Sequence, residues 1–145
     1  MNKESISGLI LAGGRGTRMG HVDKGLQPFG ASTMAAAVLA RLQPQVALLS
    51  INANQNLERY AAFGVPVWPD DTPGFLGPLA GLETGLRRCS TPYLLTAPCD
   101  SPFLPADLAE RLLAGLSSTD ADLAVAMTEE NGVRQPHPRT APRSP

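Results

Sequence analysis

Short apolar runs alternate with amphipathic stretches along the chain, and this rhythm constrains the fold more than any other feature. The first half reads SGLIL (7–11), STMAAAVLARL (32–42), VALLSI (46–51), NLERYAAF (56–63) and VPVW (65–68). The second half repeats it with LAGLETGLRR (79–88), YLLTA (93–97), PADLAERLLAGL (105–116) and DLAVAM (122–127). Near-continuous apolar runs of strand length, separated by helical periodicity, predict parallel strands joined by crossover helices that cover both faces of the sheet. The expected class is therefore α/β. Leu108, Leu112, Leu113 and Leu116 fall on one helical face, and Pro105 suits a first-turn position.

A chain of 145 residues is long enough for one domain with a real core. With 12 basic and 13 acidic residues its formal net charge is -1, so no overall field draws nucleic acid or an anionic membrane, and any anion must be held locally. The N-terminal MNKESIS has no apolar segment before a small-residue site, and no apolar run reaches the roughly 20 residues of a membrane helix. A cytoplasmic protein is expected, without nucleic acid or membrane partners, and a monomer is the favoured state. Cys89 and Cys99 lack the paired spacing of a disulfide framework or zinc site and read as reduced thiols. Residues 134–145 hold four prolines and three arginines without apolar periodicity, so 1–133 is expected to be the domain and 134–145 a disordered tail.

In such sheets ligands gather outside the carboxyl ends of the strands. The residues that follow the apolar runs are Ala12 to Gly20, Asn52, Asp70, and Cys99 with Asp100. In LAGGRGTRMGHVDKG (11–25), Gly13, Gly14, Gly16 and Gly20 permit consecutive N–H groups to face one anion, while Arg15, Arg18 and Lys24 add positive charge. Amide donors with guanidinium and ammonium groups suit a triphosphate. Two better-known phosphate loops are excluded. A dinucleotide fingerprint beginning at Gly14 would meet Met19 in place of its third glycine, and Lys24 is followed by Gly25 where the mononucleotide loop needs Ser or Thr. His21 and His137 have no Ser or Cys partner at suggestive spacing, so a hydrolase triad has no support, and Cys99 reads as a small buried filler.

Taken in order, LAGGRGTRMG and DKGL (23–26), INAN (51–54), WPDD (68–71), GPLAGL (77–82), PCDSPFLP (98–105) and QPHP (135–138) resemble the motifs of the molybdenum cofactor guanylyltransferases, within the wider nucleotidyltransferase family. The resemblance covers nearly everything before the tail. It implies a three-layer α/β/α, Rossmann-like fold with a mostly parallel sheet, and transfer of GMP from GTP to molybdenum-molybdopterin with release of pyrophosphate and a requirement for Mg²⁺. It further implies that Leu11, Ala12 and Gly13 bind nucleotide, that Lys24 contacts phosphate, that Asn52 and Asp70 contact the nucleotide, and that Asp100 is a nucleotide contact and the metal ligand. A related transferase using CTP or a sugar phosphate, and a nucleotide-binding remnant without turnover, are the alternatives.

Elementary chemistry agrees with these roles. Asp100 follows an apolar run, where a hard carboxylate can share Mg²⁺ with phosphate oxygens, or it caps the turn ahead of Pro102. In-line attack on the α-phosphorus needs positioning and charge neutralisation, which Arg18, Lys24 and Mg²⁺ supply, making Arg18, Lys24 and Asp100 the catalytic candidates. The Asp70 carboxylate can accept from guanine N1 and N2 or from ribose hydroxyls, and Asp71 opens a turn. Asn52 is either a nucleotide contact or an Asx turn at a strand end. Gly77 and Gly81 flank Pro78 and allow close backbone approach to a ligand phosphate or to another helix. The resemblance ends near Pro138, whereas the family continues with a further strand, helices and an Asn-containing motif. A shortened chain or a frame change is expected, with the C-terminal part of the fold missing.

Overall fold

The computed structural model describes residues 3–12, 23–71, 78–119, 124–130 and 133–142. In chain order these form β1 (Ile6–Leu11), β2 (Pro28–Phe29), β3 (Ser32–Thr33), α1 (Met34–Leu42), β4 (Leu48–Asn52), α2 (Leu57–Ala61), β5 (Val67–Trp68), α3 (Pro78–Arg88), β6 (Tyr93–Pro98), α4 (Leu108–Thr119), β7 (Ala124–Glu130) and β8 (Val133–Pro142). Among the described residues the main sheet runs β5-β4-β1-β6-β8-β7. β5, β4, β1 and β6 are parallel, and β8 is antiparallel to both β6 and β7. This is the mostly parallel α/β sheet that the apolar rhythm predicts.

β1 is central because its side chains are apolar on both faces. Ile6 and Ile10 join the large core with Val38 and Leu42 of α1 and the leucines of α4, while Leu9 packs on the opposite face with Cys89, Leu94 and the α3 side chains Leu82 and Leu86. Helices thus cover both faces. Leu108, Leu112, Leu113 and Leu116 are all buried, as their spacing predicts. α3 lies close to the sheet because Gly85 offers only hydrogen where a Cβ would strike Leu9 Cδ2 at 2.5 Å.

Caps set the boundaries. α1 starts where Thr33 Oγ1 accepts the Ala36 N–H. α4 starts later than Pro105 predicts, because buried Gln45 reaches across from the end of α1. Its Oε1 accepts the Ala109 N–H at 2.8 Å, and its Nε2 donates to the Arg41 and Pro105 carbonyls. α2 is shorter than 56–63 and unwinds into tight turns at Phe63 and Gly64, where Gly64 takes a φ of 87°.

The disordered tail expected over 134–145 is corrected across most of its length. Val133–Pro142 is a strand inserted between β6 and β7, pairing Tyr93 with Pro142 and Thr96 with Arg139 on one side and Thr128 with Gln135 on the other. This strand has no apolar run or alternation to signal it in the sequence, and its backbone ladders to β6 and β7 identify it. Proline, which cannot donate to a ladder, is accommodated by an irregularity: Pro136 faces Met127 and Arg139 faces Val125, so β8 holds one more residue than β7 there and Pro138 falls inside the bulge. No helix among the described residues is long and apolar enough to cross a membrane.

Candidate functional site

From β1 the chain passes through α1 to β4 and onward to β5, then returns through α3 to β6 on the other side of β1. The connections reverse direction between β1 and β6, and a doubly wound sheet opens a crevice at the carboxyl ends of the strands at such a point. Leu11 stands opposite both Asn52 and Pro98, so the three strand ends are level. Two further bonds extend the ladder: Ala12 N–H donates to the Asn52 carbonyl at 2.7 Å, and Cys99 N–H to the Leu11 carbonyl at 3.1 Å. The Leu11 carbonyl and the Ala12 amide are therefore used within the sheet, and these two residues form the floor from which the glycine-rich segment departs.

Asn52 and Asp70 are brought together across the ends of β4 and β5. Asn52 is buried, and its Nδ2 donates both to the Trp68 carbonyl and to Asp70 Oδ1, each at 2.9 Å. Asn54 completes the arrangement, with Nδ2 donating to Asp70 Oδ2 at 2.9 Å and Oδ1 accepting the Asp70 N–H at 2.8 Å. Asn52 is thus neither a simple Asx turn nor a free amide. Its side chain aims the Asp70 carboxylate. Two accepted bonds leave lone pairs on a group with about four acceptor positions. The turn that Asp71 is expected to open falls on residues outside the described ones; Asp71 itself is tied to α3, its N–H donating to Thr84 Oγ1 at 2.9 Å and its Oδ1 accepting from Arg88, whose guanidinium lies over the Trp68 ring.

Lys24 and Asp100 reach the same edge through one contact. Lys24–Leu26 is a 3-10 turn capped by Asp23, whose Oδ1 accepts the Gly25 N–H. Gly25 is buried against the end of β6, where a Cβ would lie 3.0 Å from Cys99 Cβ and 2.5 Å from Tyr60 Oη. Lys24 precedes Gly25 and Asp100 follows Cys99, so an exposed ammonium and an exposed carboxylate flank that contact. A turn bond after Asp100 runs from the Leu104 N–H to the Ser101 carbonyl. Burial first, then the charges of Asp100 and Asp23, push the Cys99 thiol up to about 12. It stays protonated near neutral pH, in keeping with a buried filler rather than a nucleophile.

Helix α3 closes the crevice from the other face. A Cβ on Gly81 would collide with Asn52 Oδ1 and Leu11 Cδ2, so the close backbone approach expected of this glycine is to the strand ends. Gly13, Gly14, Arg15, Gly16, Arg18, Gly20, His21 and Gly77 lie outside the described residues. Sequence reasoning missed Asn54, Tyr60 and the capping role of Asp23. INAN and DKGL contain the asparagine and the aspartate, but nothing in a linear pattern pairs Asp23 with Tyr60.

Among the described residues no group of three or more His, Cys, Asp or Glu side chains surrounds a common point. A metal enclosed wholly by protein has no donor set there. Mg²⁺ fits differently, since it keeps several waters and takes one or two carboxylates together with substrate phosphates. Asp100, exposed and just past the carboxyl end of β6, offers a carboxylate of that kind.

A family profile described as the MobA-like NTP transferase domain matches residues 8–144. Over 138 residues the chain is 56% identical to a molybdenum cofactor guanylyltransferase of Bordetella petrii, covering 95% of this chain and 70% of that protein. It is 56% identical over 137 residues to the protein of the same name from Cupriavidus necator, covering 94% of this chain and 69% of that one. Among solved structures, a Mycobacterium sp. strain JC1 homologue of Mycobacterium tuberculosis Rv0371c superposes with a TM-score of 0.76 at 22% identity, covering 99% of this chain and 72% of that one. Molybdopterin-guanine dinucleotide biosynthesis protein A from Archaeoglobus fulgidus superposes with a TM-score of 0.72 at 19% identity, covering 94% and 67%.

Proposed function

The chain belongs to the MobA-like NTP transferase family, and from that premise we propose that it transfers GMP from GTP to molybdenum-molybdopterin. A terminal phosphate oxygen of the acceptor attacks the α-phosphorus of GTP, one new P–O bond forms, and the α–β bond breaks to release pyrophosphate. The observation that carries this reading is the convergence of Lys24 and Asp100 on either side of the Gly25–Cys99 contact, at the switch point between β1 and β6. An anionic substrate meets a cation there, and a hard oxygen ligand lies beside it.

Each residue has a physical task in this scheme. The segment leaving β1 at Leu11 and Ala12 carries Gly13 and Arg18, whose amide and guanidinium hold and neutralise the phosphates. Lys24 neutralises charge that builds on phosphate oxygens as the bond to the leaving group lengthens. Asp70, aimed by Asn52 and Asn54, accepts from guanine N1 and N2 or from the ribose hydroxyls. Asp100 holds Mg²⁺, which when bound supplies Lewis-acid charge to phosphate oxygens. A cytoplasmic location is part of the same proposal.

Calorimetric titration of GTP, CTP and ATP with Mg²⁺ into the 145-residue chain tests the nucleotide, and pyrophosphate release on adding molybdopterin tests the transfer. Preference for GTP with pyrophosphate release supports the proposal. A preference for CTP reassigns the chain to a related transferase, GTP binding without release reduces it to a binding domain, and no nucleotide binding at all rejects the reading.

A further inference from the structure

Asp23 has both carboxylate oxygens occupied from inside the protein. Oδ1 accepts from Tyr60 Oη at 2.5 Å and from the Gly25 N–H at 3.2 Å, and Oδ2 accepts from Asn56 Nδ2 at 3.1 Å. Tyr60 is fully buried in α2, and burial together with the Asp23 charge holds its hydroxyl above the usual phenol range, so it remains a donor. Asn56 is the non-glycine residue with positive φ among those described, at φ 54° and ψ 37°. Such a conformation costs on the order of 1 kcal/mol and persists only where the surroundings impose it. Asn56 stands at the N-cap of α2, yet its side chain caps nothing there and reaches Asp23 instead.

We propose that Tyr60 and Asn56 are positioning residues that fix Lys24 through Asp23. The proposal rests on the reading of Lys24 as a triphosphate contact. Asp23 caps the turn that carries Lys24, and the buried Gly25 locks the same turn between Tyr60 and Cys99. A lysine ammonium on a four-carbon stem is poorly ordered by itself. Its usefulness depends on how rigidly its own backbone is held, and three bonds converging on Asp23 provide that rigidity. The aspartate of DKGL is consequently a strut within the fold, both its oxygens engaged by the protein's own donors.

Two variants separate the hydroxyl and amide from the bulk of the side chains. Tyr60→Phe keeps the buried ring, and Asn56→Gly keeps the left-handed backbone without strain. Each is combined with Lys24→Ala in the full 145-residue chain and titrated with GTP and Mg²⁺, while amide hydrogen exchange is followed at Gly25. Each clamp variant alone is expected to speed Gly25 exchange and to weaken GTP binding about fivefold, the size of effect of one ordinary intramolecular hydrogen bond. In the Lys24→Ala background neither should weaken binding further. An equal loss with and without Lys24 marks a general structural effect and overturns the proposal. So does unchanged affinity in both clamp variants where Lys24→Ala weakens binding, a result that spares the phosphate reading. Unchanged affinity in Lys24→Ala overturns the phosphate reading itself and the proposal with it.

Discussion

Asn52 Nδ2 lies 2.9 Å from Asp70 Oδ1, joining the ends of β4 and β5 by a side-chain bond where β5 pairs with β4 over only Ile51–Val67 and Asn52–Trp68. The same amide nitrogen also holds the Trp68 carbonyl. One buried residue therefore sets both where the short edge strand ends and where its carboxylate points. The consequence is that stability and the proposed nucleotide contact share a residue.

Asn52→Ala should lower the unfolding free energy by about 1–3 kcal/mol, the range for removing a buried hydrogen-bonding partner. Asp70 would keep its bonds to Asn54 but lose the one that fixes its direction, so GTP affinity should fall as well. Urea unfolding and calorimetry check the two effects, and an unchanged midpoint would show that the bond contributes nothing.

The glycines of α3 and α4 should respond with opposite signs. Gly81→Ala drives a Cβ into Asn52 Oδ1 and Leu11 Cδ2, and overpacking of that kind costs roughly 1–3 kcal/mol. Gly115 is exposed in α4 with nothing within 4 Å of an added Cβ, so Gly115→Ala should stabilise by up to about 1 kcal/mol through helix propensity. Thermal unfolding of the two variants side by side decides it, and a gain in Gly81→Ala would contradict the observed approach of α3.

Asp100→Asn should leave stability within about 0.5 kcal/mol, because the residue is exposed. Turnover should fall by roughly two to three orders of magnitude if the carboxylate holds the metal ion that neutralises the phosphates. Pyrophosphate release measured across a Mg²⁺ titration reads this directly. Near-normal release would remove Asp100 from the site.

Alkaline pH should destabilise the fold in a way that Cys99 explains in part. Its thiol is raised from an ordinary 9.0 to about 12, so between these values the unfolded chain releases a proton that the folded chain retains. The folded state then binds more protons, and stability falls as pH rises. Tyr60, also held above its ordinary value, adds a loss in the same direction at higher pH. Cys99→Ala should flatten the decline of unfolding free energy above about pH 9, the low end of that window. An equal slope in both proteins would contradict the raised thiol.

Strand and helix identity were legible because near-continuous apolar runs and helical periodicity are local properties. The four leucines of α4 were placed on the core face by spacing alone, and the strand exits named Asn52, Asp70 and Asp100 as candidates. Boundaries were read less well. The start of α4 depends on Gln45, whose capping amide comes from another helix. Residues 134–142, expected to be a disordered tail, form a strand whose lack of apolar alternation leaves no mark in hydropathy, while its backbone ladders to β6 and β7 hold it in the sheet.

By itself the amino-acid order determined an α/β domain with a glycine-rich, cationic segment leaving its first strand, together with the family motifs in their proper sequence. Tertiary structure alone decided which motif residues are occupied and which face outward. Asp23 and Asp70 look alike beside Asp100 in the linear text, yet the first is bound by Tyr60 and Asn56, the second is aimed by Asn52 and Asn54, and the third is left exposed. The physical reason is that periodicity depends on neighbours a few positions away, whereas the partner of a carboxylate is whatever donor the packing of distant elements brings within 3 Å or so.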